Sequence, residues 1–303
     1  MKHKSEMIAK WIFMIFGIVA VVSVIAITIF LMIKGLPAFF KVGIKDLLFG
    51  TVWTPTAEEP SFGISYIILS SVIGTLLAVA IGVVVGLLTA VFLTEITETS
   101  AIGRKISAVM TAGVELLAAI PSVIYGLLGT MLLNPLMYSL EKKIFAGSTT
   151  HQFTGGANLL SAVIVLAVMI LPTVINISST SIRAVPQMQK SASVALGASK
   201  IQTIFKVVLP AAKSGIMTGV VLGIGRALGE AMAINMVAGG AVNIPLPFNS
   251  VKFLTTQIVS EMSYASGLHR EVLFTVGLVL YVFILLINLL LNSIKKKGAQ
   301  MNE

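Results

Sequence analysis

Cysteine is absent from the 303-residue chain, and only three histidines are present. The lack of cysteine excludes a disulfide framework, a thiolate metal site and a cysteine nucleophile. His3, His151 and His269 all lie outside the long apolar runs, which excludes a zinc site of the H-E-x-x-H type within those runs. We therefore expect neither a metal site nor a cofactor.

Charged residues are also scarce. Asp, Glu, Lys and Arg make up 11% of the chain, where about 25% is typical of soluble domains. Apolar residues make up 56%, and the mean hydropathy is +1.00. One water-soluble core cannot hide so much apolar surface. The composition excludes a disordered chain and a cytosolic enzyme, and it predicts a membrane protein.

Six apolar runs are long enough to cross a bilayer, because a spanning helix needs about 20 mostly apolar residues. They are Trp11–Ile33, Ser65–Leu93, Val114–Leu133, Leu159–Ile177, Ile216–Val237 and Val272–Leu291. The first run is longer than the core of a signal peptide, and no A-x-A cleavage site follows it, so we expect it to remain as an anchor. The predicted fold class is all-α, a polytopic membrane protein with six transmembrane helices.

The placement of Lys and Arg predicts the orientation, because cytoplasmic loops carry an excess of both. With the N-terminus inside, 13 of the 21 fall in inner segments and 7 in outer loops, and Arg226 lies within a span. Both termini are therefore predicted to be cytoplasmic. The basic charge flanks the membrane without interleaved aromatic residues, which favours contact with anionic lipid over nucleic acid.

Glycines recur at a spacing that is typical of packed membrane helices. Gly215, Gly219 and Gly223 are four residues apart, as are Gly82 and Gly86, so each set places small residues on one helix face. We predict that they allow neighbouring helices to approach closely. The chain has no G-x-x-x-x-G-K-[ST] loop, so it cannot hydrolyse ATP by that route.

The loop over 178–215 contains five Lys or Arg and no acid. Pro186 suits a helix start, Gly197 a break and Pro210 a stop, which predicts two short helices lying across the membrane face. The spacing resembles the EAA loop of ABC-importer permeases, E-A-A-x3-G-x9-I-x-L-P. The matching positions are Ser191, Ala192, Ser193, Gly197, Val207, Leu209 and Pro210.

This chain departs from the EAA pattern at Ser191, where Glu is usual, and also at Ser193 and Val207. The resemblance implies that the loop is a coupling helix that docks into a groove on a cytoplasmic ATPase subunit. A solvated basic loop is the alternative, but it would not explain the spacing of Gly197 and the Leu-Pro pair.

Two further stretches are similar to phosphate importer permeases. Glu115-Leu116-Leu117-Ala118-Ala119-Ile120-Pro121-Ser122-Val123-Ile124-Tyr125-Gly126 resembles their E-[IL]-L-A-x-I-P-S-V-x-Y-G run, and Gly225-Arg226-Ala227-Leu228-Gly229-Glu230-Ala231-Met232-Ala233 resembles a second run. The approach to the last span looks like the PstC type of these permeases. The resemblance implies the type I ABC-importer (MetI-like) permease fold.

The resemblance also implies a domain organisation and a function. It implies an N-terminal anchor helix and outer loop over 1–64, a permease core over 65–292 and a basic cytoplasmic tail over 293–303. It implies inward passage of inorganic phosphate by alternating access across a bacterial cell membrane. The chain itself would not be an enzyme, because a separate subunit would hydrolyse the ATP.

The implied partners are a PstA-type permease, two PstB-type ATPase subunits and a PstS-type phosphate-binding protein. Two alternatives stay open. The same fold could carry another oxyanion such as molybdate or sulfate, or the chain could be an ion-coupled secondary transporter that works alone. The second alternative would need no ATPase-docking loop.

Three residues that carry a charge at pH 7 lie in the predicted spans: Glu115, Arg226 and Glu230. An ionised side chain at mid-bilayer costs roughly 2.5–3.5 kcal/mol on insertion scales, so such residues usually face a partner or a water-filled path. Arg226 and Glu230 are four residues apart, which predicts one helical face and an ion pair. A guanidinium matches phosphate oxygens bidentately, and the resemblance implicates this pair in phosphate passage. We predict a substrate path lined by all three residues, with a purely structural ion pair as the alternative.

Pro121 interrupts the third apolar run and frees a backbone carbonyl that another group must satisfy. The sequence fits both an ordinary kink and a bend that lines the path. Tyr125, one turn further on, is more typical of a packing aromatic than of a ligand contact.

Overall fold

The computed structural model of the chain describes residues 2–97 and 100–300. These residues form helices and one small hairpin. In chain order the elements are α1 (Lys2–Val42), α2 (Ile44–Phe49), β1 (Trp53–Thr54), β2 (Ser61–Phe62), α3 (Ser65–Val91), α4 (Ala101–Ala119), α5 (Ser122–Leu128), α6 (Asn134–Ile144), α7 (Leu159–Arg183), α8 (Gln187–Ala195), α9 (Lys200–Thr203), α10 (Leu209–Leu228), α11 (Met232–Val237), α12 (Leu254–Glu261) and α13 (Gly267–Gln300). Three π-helical turns, Phe92–Ile96, Gly129–Leu133 and Ile204–Val208, extend or join these helices.

Six stretches of helix are long and apolar enough to cross a membrane within the described residues, as the sequence predicts. They are Ala9–Val42, Ser65–Ile96, Ser122–Ile144, Leu159–Arg183, Lys200–Leu228 and Gly267–Leu290. The fold is therefore all-α and polytopic. The last helix runs into the predicted tail over 293–303, of which 301–303 lie outside the described residues, as does Glu98 in the loop after the second span.

The predicted bounds of the third span, Val114–Leu133, are wrong. Helix α4 stops at Ala119, and the spanning stretch begins at Ser122 and continues to Ile144. Proline has no N–H and disfavours a helical conformation in the residue before it, so Pro121 splits the apolar run into two helices. Hydropathy alone does not detect this break.

The predicted fifth span, Ile216–Val237, is also displaced. The helical stretch begins at Lys200 and ends at Leu228, and Met232–Val237 is a separate short helix. Pro210 does not stop a helix, because the π-helical turn Ile204–Val208 carries the chain into α10 with this proline in the first turn. The second short helix of the basic loop is therefore continuous with the fifth span.

Helix α7 is the central element of the bundle. In its apolar 18-residue stretch, 61% is buried, the largest share among the six spans. Helix α3 packs along it through two glycines. A Cβ at Gly82 would lie 2.6 Å from Ile170, and one at Gly86 would lie 2.8 Å from Val174. The spacing of these glycines therefore corresponds to direct contact between α3 and the α7 side chains.

Helix α1 contacts the last helix, α13, through its second half. The hydroxyl groups of Thr28 and Tyr281 are 2.8 Å apart, and the Thr275 hydroxyl donates to the Gly35 carbonyl at 2.6 Å. The first half of α1 presents large apolar side chains outward, including Phe13 and Phe16 at 75% and 69% exposure. Such a surface suits lipid or a neighbouring apolar helix.

A buried carboxylate joins the β-hairpin, α12 and α13. Glu261 accepts hydrogen bonds from Lys252 Nζ at 2.5 Å and from Trp53 Nε1 at 3.1 Å, and His269 Nε2 lies 2.8 Å from its second oxygen. Trp53 also packs edge-on against Phe62 across the hairpin. Burial alone would raise the pKa of Glu261, but the bonds from Lys252, His269 and Trp53 outweigh burial and hold this pKa below its ordinary value of 4.5.

A lowered pKa means that the folded state favours the ionised carboxylate. The network therefore stabilises the protein above the ordinary glutamate pKa, and this contribution disappears as the pH falls through the lowered value. We predict that Lys252→Met costs about 3 kcal/mol of stability at pH 7, because it removes one partner of a buried ion pair. The midpoint of thermal unfolding in detergent measures this loss.

Acidification supplies the second measurement. The difference in unfolding midpoint between the unsubstituted protein and Glu261→Gln should be large at pH 7 and shrink below pH 4.5, the ordinary glutamate value. Glu59→Gln, an exposed residue of the same hairpin loop, is the matched control and should leave the midpoint unchanged. A difference for Glu261→Gln that is independent of pH would contradict the network's ionic character.

Candidate functional site

The break in the third span is closed by a tyrosine. Pro121 cannot donate to the Leu117 carbonyl, which would be its helical acceptor. That carbonyl instead accepts the Ile120 N–H at 3.3 Å and the Tyr125 hydroxyl at 2.7 Å. The Tyr125 side chain therefore bridges the break with this hydrogen bond, which we call the latch, and it also packs as an aromatic. The Leu117 carbonyl, which Pro121 leaves without its helical donor, could have indicated the bridging role from the sequence.

A second break ends the fifth span. Helix α10 stops at Leu228 with Gly229 as its C-cap, so Glu230 lies beyond the helix. Glu230 Oε1 accepts the Ala233 N–H at 2.9 Å in the first turn of α11, and the Glu230 carbonyl accepts the Thr255 hydroxyl at 2.6 Å. No sequence pattern predicted the part played by Thr255, which comes from a different element.

The prediction of one helical face for Arg226 and Glu230 is wrong, because the helix ends between them. Neither residue forms an ion pair with the other in the part of the chain that the structure describes. Glu230 uses its carboxylate to cap α11 instead. The two side chains stay close in sequence but serve different local structures.

The two breaks are held side by side, because α5 packs directly on α11. A Cβ at Gly126 would lie 2.9 Å from the Ala233 Cα, and one at Gly129 would lie 2.6 Å from Val237. The Thr130 hydroxyl donates to the Met236 carbonyl at 3.2 Å. The broken segments of the third and fifth spans therefore meet at one corner of the bundle, which we call the break corner (residues 117–126 and 226–233).

Arg226 lies in the last turn of α10 at this corner and is half-buried. Among residues 2–97 and 100–300, no hydrogen bond or ion pair of the guanidinium is found. A half-buried guanidinium without such a partner is a candidate contact for an anion.

Glu115 lies on α4, two residues before the break corner. It is an exposed residue of α4 and lines a cavity of about 610 Å³ between α4 and the end of α7, together with Arg104 and Arg183. No ion pair joins Glu115 to Arg226 within the described residues. Arg226 and Glu230 thus both lie at the break corner, whereas Glu115 lines the cavity beside α4.

The glycine stripe of α10 lies against α7. Gly215 faces Ser181 closely, and a Cβ at Gly219 would lie 3.2 Å from Ile177. A Cβ at Gly223 would lie 3.3 Å from Val174. The stripe brings the helix that carries Arg226 against the central helix.

Within the basic loop, residues 187–203 form α8, a tight turn and α9. We call these residues the docking segment, after the role that the sequence predicts for them. Gly197 has a φ of 86°, a left-handed conformation that glycine adopts without strain, and it reverses the chain between the two helices. Ser199 caps α9 in a reciprocal capping box with Gln202. Ser191 and Ala192 are exposed on α8, whereas Leu209 and Pro210 lie in the first turn of α10.

The docking segment exposes large apolar side chains. Met188, Leu196 and Ile201 are 80%, 89% and 69% exposed. Pro186 and Gly197 position them at the ends of short helices whose other residues are mostly small or polar. Large exposed apolar side chains on one short, basic segment are consistent with contact with another protein.

Two side-chain contacts hold α8 in place. Lys190 Nζ lies 2.5 Å from Glu95 Oε1, in the π-helical turn after α3, and the Ser193 and Thr203 hydroxyls are 3.0 Å apart. The Lys190–Glu95 pair was not predicted, because its partners are far apart in sequence and no motif links them.

Comparison with known proteins identifies relatives over most of the chain. Residues 82–297 match the model of the family described as binding-protein-dependent transport system inner membrane component. The probable ABC transporter permease protein YqgH of Bacillus subtilis is 38% identical over 90% of this chain and 87% of its own length. The phosphate transport system permease protein PstC of Pasteurella multocida is 32% identical over 81% of this chain and 79% of its own.

Solved structures show the same fold at low sequence identity. A chain of a bacterial alginate ABC transporter superposes with a TM-score of 0.62 at 14% identity, covering 95% of this chain and 94% of the other. A chain of the inward-facing MetNI methionine ABC transporter gives a TM-score of 0.57 at 23% identity, covering 77% and 94%. These likenesses support the predicted type I importer fold.

The latch at the break corner makes a stability prediction. Tyr125→Phe removes the donor to the Leu117 carbonyl and should cost about 1 kcal/mol, the scale of side-chain hydrogen bonds in membrane proteins. Thermal unfolding in detergent measures the loss. Tyr264→Phe, at a tyrosine that is 63% exposed, is the matched control. Equal midpoints for the two variants would show that the latch contributes nothing.

Proposed function

Because the chain belongs to the family of binding-protein-dependent transport system inner membrane components and is a permease of the PstC type, we propose that it moves inorganic phosphate inward by alternating access. The chain is a multi-pass membrane protein of MetI-like importer fold. The observation that carries the proposal is Arg226, a half-buried guanidinium at the break corner without an ionic partner among the described residues.

Arg226 suits an oxyanion for three reasons. Its planar fork donates two parallel hydrogen bonds to phosphate oxygens, and its charge stays fixed at every physiological pH. A charge inside a span is costly unless a partner or a water-filled path offsets it. A phosphate ion in transit would be that partner only while it is bound. A carrier needs such a temporary contact, because it must release its substrate.

Glu230 and Glu115 take different parts in this proposal. Glu230 caps α11 with its carboxylate and accepts the Thr255 hydroxyl with its carbonyl. Both bonds hold the backbone of the break corner, which contains Arg226, in place. Glu115 lines the cavity between α4 and α7, nearer the face that carries the docking segment. We assign this cavity to the inner end of the path.

The proposed assembly contains a PstA-type permease, two PstB-type ATPase subunits and a PstS-type phosphate-binding protein. The exposed apolar residues of the docking segment support contact with the ATPase. The 13 to 7 distribution of Lys and Arg supports a cytoplasmic location for this segment and both termini. ATP hydrolysis would occur in the partner, and the glycine stripe of α10 would keep Arg226 in register with α7.

Uptake of labelled phosphate by cells that depend on this transporter tests the role of Arg226. Arg226→Gln should lower uptake by about 10- to 100-fold, the scale of a hydrogen bond to a charged group, while the complex still assembles. Glu230→Gln is the matched control, because its amide oxygen can still accept the Ala233 N–H, and it should keep most of the uptake. Excess unlabelled phosphate should compete with uptake, whereas sulfate and molybdate should not.

Near-normal uptake by an assembled Arg226→Gln variant would remove Arg226 from the path. Competition by sulfate or molybdate as strong as that by phosphate would contradict the proposed substrate. Uptake that continues without any associated ATPase would favour a secondary transporter instead.

The docking segment makes a separate prediction. Leu196→Asp places a charge on a side chain that is 89% exposed, so it should leave folding intact but abolish co-purification of the ATPase. Leu246→Asp, at a leucine that is 54% exposed in the loop before α12, is the matched control and should leave co-purification unchanged. Retention of the ATPase by Leu196→Asp would place the docking surface elsewhere.

A further inference from the structure

Helix α8 is held by unusually few contacts for an element that would receive force from an ATPase. None of its side chains, all of which the structure describes, is buried. Its ionic contact is the pair between Lys190 and Glu95, whose side chains are 17% and 11% exposed. Because water is largely excluded from this pair, salt screens it much less than an exposed pair.

Glu95 connects α8 to a helix without a break. It lies in the π-helical turn Phe92–Ile96, which continues directly from α3. The third span begins and the fifth span ends at the break corner, whereas the helical path from Ser65 to Ile96 is continuous. Glycine contacts seat α3 closely on α7, which suits this helix to passing a displacement from one end to the other.

The far end of α3 is tied to the segment that supports the break corner. Ser71 Oγ accepts the Leu254 N–H at 2.8 Å, and a Cβ at Gly74 would lie 2.6 Å from the Phe253 ring. The next residue along, Thr255, donates its hydroxyl to the Glu230 carbonyl at 2.6 Å. One series of contacts therefore runs from Lys190 through α3 to the peptide beside Arg226.

We propose that the Lys190–Glu95 ion pair is a coupling tether, which makes α3 follow the docking segment and passes that displacement to the break corner. This inference rests on the proposed function, because it assumes that α8 receives the ATPase. Lys190 and Glu95 are positioning residues, since they act on the path through α3 and not through substrate. The tether also provides an ionic link next to Ser191, where the EAA pattern usually has Glu.

The test uses the whole complex, purified through this chain and reconstituted into vesicles with the phosphate-binding protein. Phosphate transported per ATP hydrolysed is measured for Glu95→Gln, Lys190→Gln, the double neutral variant and the charge swap Glu95→Lys with Lys190→Glu. Each single variant should hydrolyse ATP and lower this ratio about five-fold or more, the smaller end of typical coupling effects. The double neutral variant should be no worse than either single variant, and the swap should restore most of the ratio.

A merely structural pair would alter the yield of complex but not the transport ratio of the complex that forms. Lys105→Gln, an exposed residue of α4, is the matched control for charge loss and should leave the ratio unchanged. An unchanged ratio in both single variants overturns the tether, as does a double variant whose loss is the product of the two single losses. If single variants fail to assemble, an assembled charge swap with a low ratio overturns it.

Failure of the proposed function gives a different result. In that case the unsubstituted complex itself would lack an ATPase or would transport no phosphate. An unsubstituted complex that transports normally, with variants that transport equally well per ATP, refutes only the tether.

Discussion

The structure depends on the need to satisfy every backbone polar group that the bilayer cannot hydrate. A continuous helix meets this need by itself, but each break releases carbonyl and amide groups that side chains must then bond. The Tyr125 hydroxyl donates to the Leu117 carbonyl across the Pro121 break. After Gly229, the Glu230 carboxylate accepts the Ala233 N–H, and the Thr255 hydroxyl donates to the Glu230 carbonyl. At both breaks, side chains therefore replace hydrogen bonds that a continuous helix would have made.

Placing both breaks together has a functional consequence. Irregular backbone at membrane depth is tolerated where it is enclosed by protein or lines a cavity. The glycine contacts of α5 on α11 enclose one side of the break corner, and Arg226 lies beside it. Helices α3 and α7 run past this corner without such a break.

Much of this arrangement can be predicted from the sequence, because apolar runs and motifs are local. The six spans, the family and the short helix α8 follow from hydropathy, spacing and turn residues. The bounds of the third and fifth spans do not, because hydropathy treats Pro121 and Gly229 as ordinary members of an apolar run. The roles of Tyr125 and Thr255, and the contact between Lys190 and Glu95, require knowledge of which elements meet in space.

The contact between α1 and α13 bears on how the protein is made. Thr28 and Tyr281 are 253 residues apart, so α1 meets its partner only after nearly the whole chain has been synthesised. Before that point the end of α1 can pack on its near neighbours in sequence, through Ala38 against Leu47 and Ile67. A ribosome that stops before α13 therefore leaves α1 anchored at its end but without the hydrogen bonds that Thr28 and Gly35 make in the finished fold.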